Sequence, residues 1–331
     1  MGQSLVSVAD SVFPNLDPVR KVLSGIGADL RLAQGSTPAA IMQVSRQADA
    51  VLVTYAKITA EMIQQMTCCR IIARFGIGVD NVDIAAATAA GIVVTRVPDY
   101  CVDEVSDHTL ALLLALARKI PFANSLVSAG CWDMSAVVPI HRLRGTVLGL
   151  VGFGRIPQLV APKAKAFGIK VVAYDPYVSE SVMSDARVER VEFAKLLEVS
   201  DYVSIHTPLA PETQHLFNAD VFAQMKSTAS LINTARGPIV DESALAHALD
   251  NRQLAGAALD VLSAEPPMAS PLFGRSNVIL TPHISFYSVE SLVELQTKVA
   301  EEVVRVLTGQ RPRHPVNPEV LTSGRQRGAD A

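Results

Sequence analysis

Leu148-Gly149-Leu150-Val151-Gly152-Phe153-Gly154-Arg155 is an apolar run that breaks into a glycine turn. A helical pattern opens directly after it. A second apolar run, Lys170-Val171-Val172-Ala173-Tyr174, then ends on Asp175, 23 residues past Gly152. Strand, glycine turn, helix, strand and acid make the layout of a dinucleotide-binding unit. The glycines let the backbone approach a pyrophosphate, the helix N-terminus offers unpaired N–H groups, and the acid accepts from ribose hydroxyls. One element departs from the pattern. Pro157 stands where a third glycine normally permits close helix–strand packing. Proline in a first helical turn loses no intrahelical bond, so it is tolerable there; Pro162 is worse placed and is expected to kink the helix. Asp175 argues for NAD over NADP, because a carboxylate repels a 2′-phosphate and the next residues are Pro176 and Tyr177 rather than arginine.

The unit begins near the middle of 331 residues, so another domain precedes it. Before it, short apolar runs at Leu5–Ala9, Asp29–Leu32, Ala50–Thr54, Arg70–Ala73 and Ile92–Thr95 alternate with helical stretches, which predicts a parallel α/β sheet. From the glycine turn onward the predicted strands are Thr146–Val151, Lys170–Tyr174, Tyr202–His206, Ser230–Asn233, Ala257–Asp260 and Val278–Leu280. Six strands in that order suit a doubly wound sheet, whose ligands bind beyond the carboxyl ends of the strands. A long helix from about Val102 to Arg118 is apolar on nearly every side and must be covered, by a core or by another subunit. A last helix spans about Ser288 to Leu307, and Thr322 to Ala331 reads as a loose tail.

Composition excludes several classes. Apolar residues make 49% and charged residues 18% of the chain, enough for two cores. The longest apolar run, Thr109 to Ala117, is about half of the roughly 20 residues needed to cross a membrane. A net charge of −3 leaves no electrostatic footprint for nucleic acid. The N-terminus has neither a basic region nor a cleavage site, and Cys68, Cys69, Cys101 and Cys131 lack metal-ligand spacing. A cytoplasmic protein with free thiols, no bound metal and no membrane partner is expected.

Three residues that follow successive strands form a candidate catalytic set: Arg236 in Asn233-Thr234-Ala235-Arg236-Gly237, Glu265 in Asp260–Pro266, and His283 in Thr281-Pro282-His283. A guanidinium grips a carboxylate in bidentate fashion, an imidazole exchanges a hydroxyl proton near neutral pH, and a carboxylate orients that ring. Hydride exchange between a hydroxy acid and a keto acid needs this trio.

With these segments, and with Arg74-Phe75-Gly76-Ile77-Gly78-Val79-Asp80-Asn81-Val82-Asp83 and His206-Thr207-Pro208-Leu209, the chain resembles the D-isomer-specific 2-hydroxyacid dehydrogenase family over roughly Val51 to Pro318. The resemblance implies that Arg236 binds the substrate carboxylate, that His283 is the acid/base and that Glu265 is its partner. In the cofactor set it implies Gly152 and Gly154, with Arg155 and Ile156 at the pyrophosphate and Asp175 at the ribose. Thr109 would touch a cofactor phosphate. His206, Thr207 and Pro208 also belong to this set, the last two near the adenosine. Thr234 and Ala235 would line the nicotinamide side, and Asp260 would hold its carboxamide. Ile77 and Gly78 would donate backbone N–H groups to the substrate carboxylate.

The implied architecture is α/β, with two doubly wound parallel-sheet domains. A Rossmann NAD-binding domain at 100–287 is inserted in a flavodoxin-like substrate domain made of 1–99 and 288–321, and 322–331 is left as tail. The family also implies a homodimer built on the cofactor domain, which favours the interface reading of the long helix.

Glu265 matches the hydroxyacid pattern rather than the glutamine of the family's formate dehydrogenases. Phe286 and Tyr100–Val105 are similar to the C-terminal-binding-protein branch, which opens a second reading as a non-catalytic NAD(H)-sensing scaffold. Leu116–Pro121 and the Arg74 loop are similar to phosphoglycerate dehydrogenases. No regulatory domain follows residue 331, so that kinship is expected to cover a short core form only. Arg74 would meet a second anionic group such as a phosphate, or pair with Asp80 or Asp83. Phe286, lining the pocket, would favour an apolar or longer side chain.

Overall fold

The computed structural model describes residues 3–322; the predicted tail lies outside them from residue 323 onward. In chain order the elements are β1 (Leu5–Val8), α1 (Asp17–Leu23), β2 (Asp29–Leu32), α2 (Pro38–Ser45), β3 (Ala50–Val53), α3 (Ala60–Gln65), β4 (Ile71–Arg74), α4 (Ile84–Ala89), β5 (Val93–Thr95), α5 (Val102–Ala117), α6 (Ile120–Ser128), β6 (Val147–Val151), α7 (Arg155–Ala166), β7 (Lys170–Tyr174), α8 (Glu180–Asp185), β8 (Glu189–Arg190), α9 (Phe193–Val199), β9 (Tyr202–Ile205), α10 (Ala219–Gln224), β10 (Ser230–Asn233), α11 (Glu242–Asp250), β11 (Gly256–Leu259), β12 (Val278–Leu280) and α12 (Val289–Leu307). The chain forms two compact units, one running up to Tyr100 and resuming at Ser288, the other spanning Cys101–Tyr287.

The first unit holds a five-stranded parallel sheet in the order β2-β1-β3-β4-β5, the flavodoxin-like winding. β3 and β4 are buried along their whole length, as strands covered on both faces must be. Asp10, just past β1, ties the switch point together. Its carboxylate accepts the backbone N–H groups of Thr54, Tyr55 and Ala56 at 2.7–3.1 Å. α12 starts with a reciprocal cap between Ser288 and Ser291, and its carbonyls at Val306 and Leu307 accept from the Arg70 guanidinium.

The second unit holds a seven-stranded parallel sheet in the order β12-β11-β10-β9-β6-β7-β8. Counted from β6, this is the 3-2-1-4-5-6 winding of dinucleotide-binding sheets with one strand added. The side chains alternate in period two. Leu148 and Leu150 of β6 join Leu110, Leu113 and Val160 on one face, while Val151 joins Leu231 and Leu245 on the other. One of the seven strands, β8, is not predicted by the sequence. It is two charged residues long and borrows its pairing from β7, so it has no apolar run to betray it.

α7 runs unbroken from Arg155 to Ala166 through Pro162. Lys163 anchors it there, donating to Ser106 Oγ at 2.6 Å and pairing with Asp107 Oδ1 at 2.5 Å on α5. α5 gives its Leu110, Leu112 and Leu113 to the core, while Ala111 stays exposed. Beyond it Ile120, Val127, Trp132, Met134 and Val138 are about half exposed or more. Among the described residues, no single helix is long and apolar enough to cross a membrane.

Candidate active site

The switch point of the second sheet lies between β6 and β9, and the glycine turn sits on it. Gly152 has φ +94°, and a Cβ there would lie 2.9 Å from the His206 carbonyl carbon, so only glycine lets the two strand ends approach. Gly154 opens α7 without a side-chain cap, and a Cβ there would meet nothing within 4 Å. The first turn of α7, from Arg155 and Ile156 onward, therefore has no side-chain cap from Gly154, and a helix N-terminus of this kind suits an anion.

Asp175 is fixed beside this turn. Oδ2 accepts from Phe153 N at 2.8 Å, and Oδ1 accepts from Tyr177 N and Val178 N at 2.8 and 3.1 Å. Across the switch point, Thr207 Oγ1 is buried with no hydrogen-bond partner among the described residues. His206 Nε2 lies 2.9 Å from Ser204 Oγ, and burial pushes its pKa down to about 3, so the ring is neutral. Pro208 follows on the exposed side. A backbone cradle that a Cβ would fill, an uncapped helix N-terminus, a placed carboxylate and an orphaned hydroxyl fit a dinucleotide.

The candidate catalytic residues emerge from three neighbouring strand ends. Asn233, Leu259 and Leu280 are partners in register across β10, β11 and β12. Arg236, Asp260 and His283 therefore leave the same edge within three residues of it. The Asn233 amide shapes the first loop, accepting from Ala235 N at 3.0 Å and donating to the Arg236 carbonyl at 2.9 Å. Arg236 Nη1 donates to the Ala235 carbonyl at 2.8 Å. The next loop carries Glu265, whose Oε1 accepts from Leu262 N at 3.0 Å. Glu242 at the start of α11 braces it, accepting from Ser263 N and Ser270 Oγ.

The third loop completes a pair: His283 Nδ1 lies 2.6 Å from Glu265 Oε2. The two side chains are 20% and 32% exposed, so the pair is reachable from solvent on one side. Phe286 packs edge-on to the His283 ring at 6.0 Å. His283 itself has φ +52°, a conformation costly for a residue with a Cβ.

Asp260 holds that conformation. The His283 N–H donates to its carbonyl at 2.8 Å, and its carboxylate accepts from Thr281 Oγ1, Ile284 N and Ser285 N at 2.6–2.9 Å. Thr109 and Thr234 meet through their hydroxyls at 3.1 Å, which links α5 to the Arg236 loop. Asn233, Glu242, Thr281 and His108, the last of which reaches Thr281 from α5, are not singled out by the sequence. Of these, Asn233 alone carries a local signal, a polar residue at a strand end before a tight turn.

Arg74, Ile77 and Gly78 belong to the first unit. Arg74 is the last residue of β4 and only 8% exposed. Its guanidinium folds back over Gly76, where any Cβ would collide with it. Asp83, one of the partners weighed for Arg74, caps α4 by accepting from Ala86 N at 2.9 Å. Among the described residues no group of three or more His, Cys, Asp or Glu is placed to hold a metal.

The family of D-isomer specific 2-hydroxyacid dehydrogenases, through its NAD binding domain, matches residues 110–285. The chain is 38% identical over 299 residues to the D-3-phosphoglycerate dehydrogenase of Methanocaldococcus jannaschii, covering 90% of this chain and 57% of that protein. It is 38% identical over 290 residues to the glyoxylate reductase of Thermococcus litoralis, covering 86% and 88%. Thus the chain spans little more than half of the phosphoglycerate dehydrogenase but nearly all of the glyoxylate reductase. The crystal structure of D-lactate dehydrogenase from Aquifex aeolicus, complexed with NAD and lactic acid, superposes with a TM-score of 0.84 at 26% identity, covering 97% and 98%.

Proposed function

The chain belongs to the D-isomer-specific 2-hydroxyacid dehydrogenase family, and on that premise we propose that it interconverts a D-2-hydroxy acid and its 2-keto acid with NAD. The observation that carries the proposal is the His283–Glu265 pair at 2.6 Å, on the same strand edge as Arg236 and beyond an intact glycine turn.

Gly152, Gly154, Arg155 and Ile156 would hold the pyrophosphate, Asp175 the ribose, and Thr109, His206, Thr207, Pro208, Thr234, Ala235 and Asp260 the rest of the cofactor. When bound, NADH supplies the hydride for the keto carbon. Arg236 grips the substrate carboxylate through two N–H groups and so presents one face of the keto carbon. His283 donates a proton from Nε2 to the keto oxygen, since Nδ1 is committed to Glu265. The Glu265 carboxylate keeps the ring oriented and steadies the imidazolium that forms in the reverse direction.

The substrate class we propose is a small 2-keto acid of the glyoxylate, hydroxypyruvate or phosphohydroxypyruvate type. Both 38%-identical relatives carry names of that kind. Phe286, packed edge-on to His283, is the residue we assign to side-chain size. The exposed apolar segment from Ile120 to Val138 supports a homodimer through the second unit. Cys68, Cys69, Cys101 and Cys131 form no disulfide among the described residues, which suits a cytoplasmic setting where thiols stay reduced. The test is NADH oxidation against glyoxylate, hydroxypyruvate, its 3-phosphate, pyruvate and longer 2-keto acids. Saturable oxidation with one of them is the expected result. Tight NADH binding with no turnover on any of them would overturn the proposal.

A further inference from the structure

α5 carries a histidine that no step above uses. His108 Nε2 lies 3.1 Å from Thr281 Oγ1 and 3.6 Å from Asp260 Oδ1. The second distance is too long for a hydrogen bond, so Thr281 is the partner. Thr281 has a single hydroxyl proton, and the 2.6 Å contact to Asp260 Oδ1 takes it. The Thr281 oxygen can then only accept from His108, which places a proton on Nε2. The result is a directed chain: His108 Nε2–H to Thr281 Oγ1–H to the Asp260 carboxylate.

That carboxylate has no solvent exposure. It is occupied with the loop that carries His283, accepting from Ile284 N at 2.9 Å and Ser285 N at 2.8 Å. Removing His108 takes the donor from the Thr281 oxygen, which weakens the aim and polarisation of the Thr281 hydroxyl toward the carboxylate and loosens the geometry its donors share. Here the geometry at stake is the left-handed backbone of His283, which packing must hold against its own preference. The neighbouring residue, Thr109, reaches Thr234 in the Arg236 loop. One turn of α5 therefore braces the loops of both substrate-facing residues.

We propose that His108 is a positioning residue for the acid/base His283, acting through Thr281 and Asp260 from beneath its loop. The inference rests on the dehydrogenase reading. A misplacement of about 1 Å at a reacting group can lower turnover on the order of 100-fold. The strain falls on the His283 loop, away from the cradle of Gly152 and Asp175, so the role is read far more in kcat than in cofactor affinity.

The test compares wild type, His108→Leu, His108→Gln, Thr281→Val and the double variant, with NADH and the best keto acid. NADH dissociation constants are measured alongside. Glutamine presents an N–H donor at similar reach and leucine does not. The expected result is a roughly 10- to 100-fold lower kcat for His108→Leu, with NADH affinity changed by less than about threefold. Recovery of most of that loss is expected with His108→Gln. The double variant should be no slower than Thr281→Val alone, because both changes break one chain.

A kcat for His108→Leu within about twofold of wild type, no advantage of Gln over Leu, or multiplicative losses in the double variant would overturn the proposal. If His108→Leu does not fold, Thr281→Val against Thr281→Ser carries the same comparison. Wild-type turnover separates the two claims. Its absence refutes the dehydrogenase reading, whereas turnover that is indifferent to His108→Leu refutes only the positioning role.

Discussion

Gly237 lies against the Leu262–Ser263 peptide so closely that a Cβ would sit 2.0 Å from the Leu262 carbonyl carbon. The obstacle is backbone, which cannot swing aside. This contact sets the loop after β10, with Arg236, against the loop after β11, with Glu265. Gly237→Ala is expected to push the two apart, costing about 1–3 kcal/mol of stability and roughly 10- to 100-fold in kcat. Denaturant midpoints and steady-state rates check both. An alanine variant with wild-type kcat would mean that the two loops need not be in contact for turnover.

Asp175 should decide between the two nicotinamide cofactors. Its carboxylate is held by three backbone N–H groups at the end of β7 and would face a 2′-phosphate with like charge. Asp175→Ala is expected to raise the preference for NADPH relative to NADH about tenfold or more, the equivalent of about 1.4 kcal/mol. Ratios of kcat/KM for the two cofactors measure it. An unchanged ratio would remove the residue from cofactor choice.

His206 gives the fold an acid-sensitive element. Its folded pKa of about 3 lies below the unfolded value of 6.5. The denatured chain therefore takes up a proton that the native chain refuses. The stabilisation is fully present above 6.5 and is lost as pH falls from there towards about 3, at about 1.4 kcal/mol per unit. Urea unfolding between about pH 7 and about pH 5 should show a loss of up to ~2 kcal/mol that is missing in His206→Gln. Equal losses in both proteins would show that His206 is not the group responsible.

Phe286, edge-on to His283, should tune the side chain of the substrate. Phe286→Ala is expected to shift the ranking among 2-keto acids by roughly 10-fold, as a change of a few methylenes in a pocket does. NADH affinity should be nearly untouched. Equal losses on every keto acid would refute the role in specificity.

The glycine turn and the three loop residues are legible in the sequence because each depends on local chemistry. Gly152 must take a positive φ, Asp175 must end a strand, and Arg236, Glu265 and His283 each follow an apolar run. The alternation of apolar runs with helical stretches marks both sheets as parallel α/β, while their flavodoxin-like and Rossmann windings are what the family resemblance implies. What stays hidden depends on distant partners. β8 exists because β7 offers it an edge. Gly237 looks like an ordinary turn glycine until Leu262 is placed against it. His108 looks like one polar residue on an apolar helix, and only the packing of α5 against the end of β12 brings it to Thr281.

Stereospecific hydride transfer leaves its record in the configuration of the product. The measurement is chiral separation of the hydroxy acid formed from NADH and the preferred 2-keto acid, chosen so that reduction creates a stereocentre. The D enantiomer is expected, in an amount equal to the NADH consumed. An L product, or NADH bound but not consumed, would contradict it.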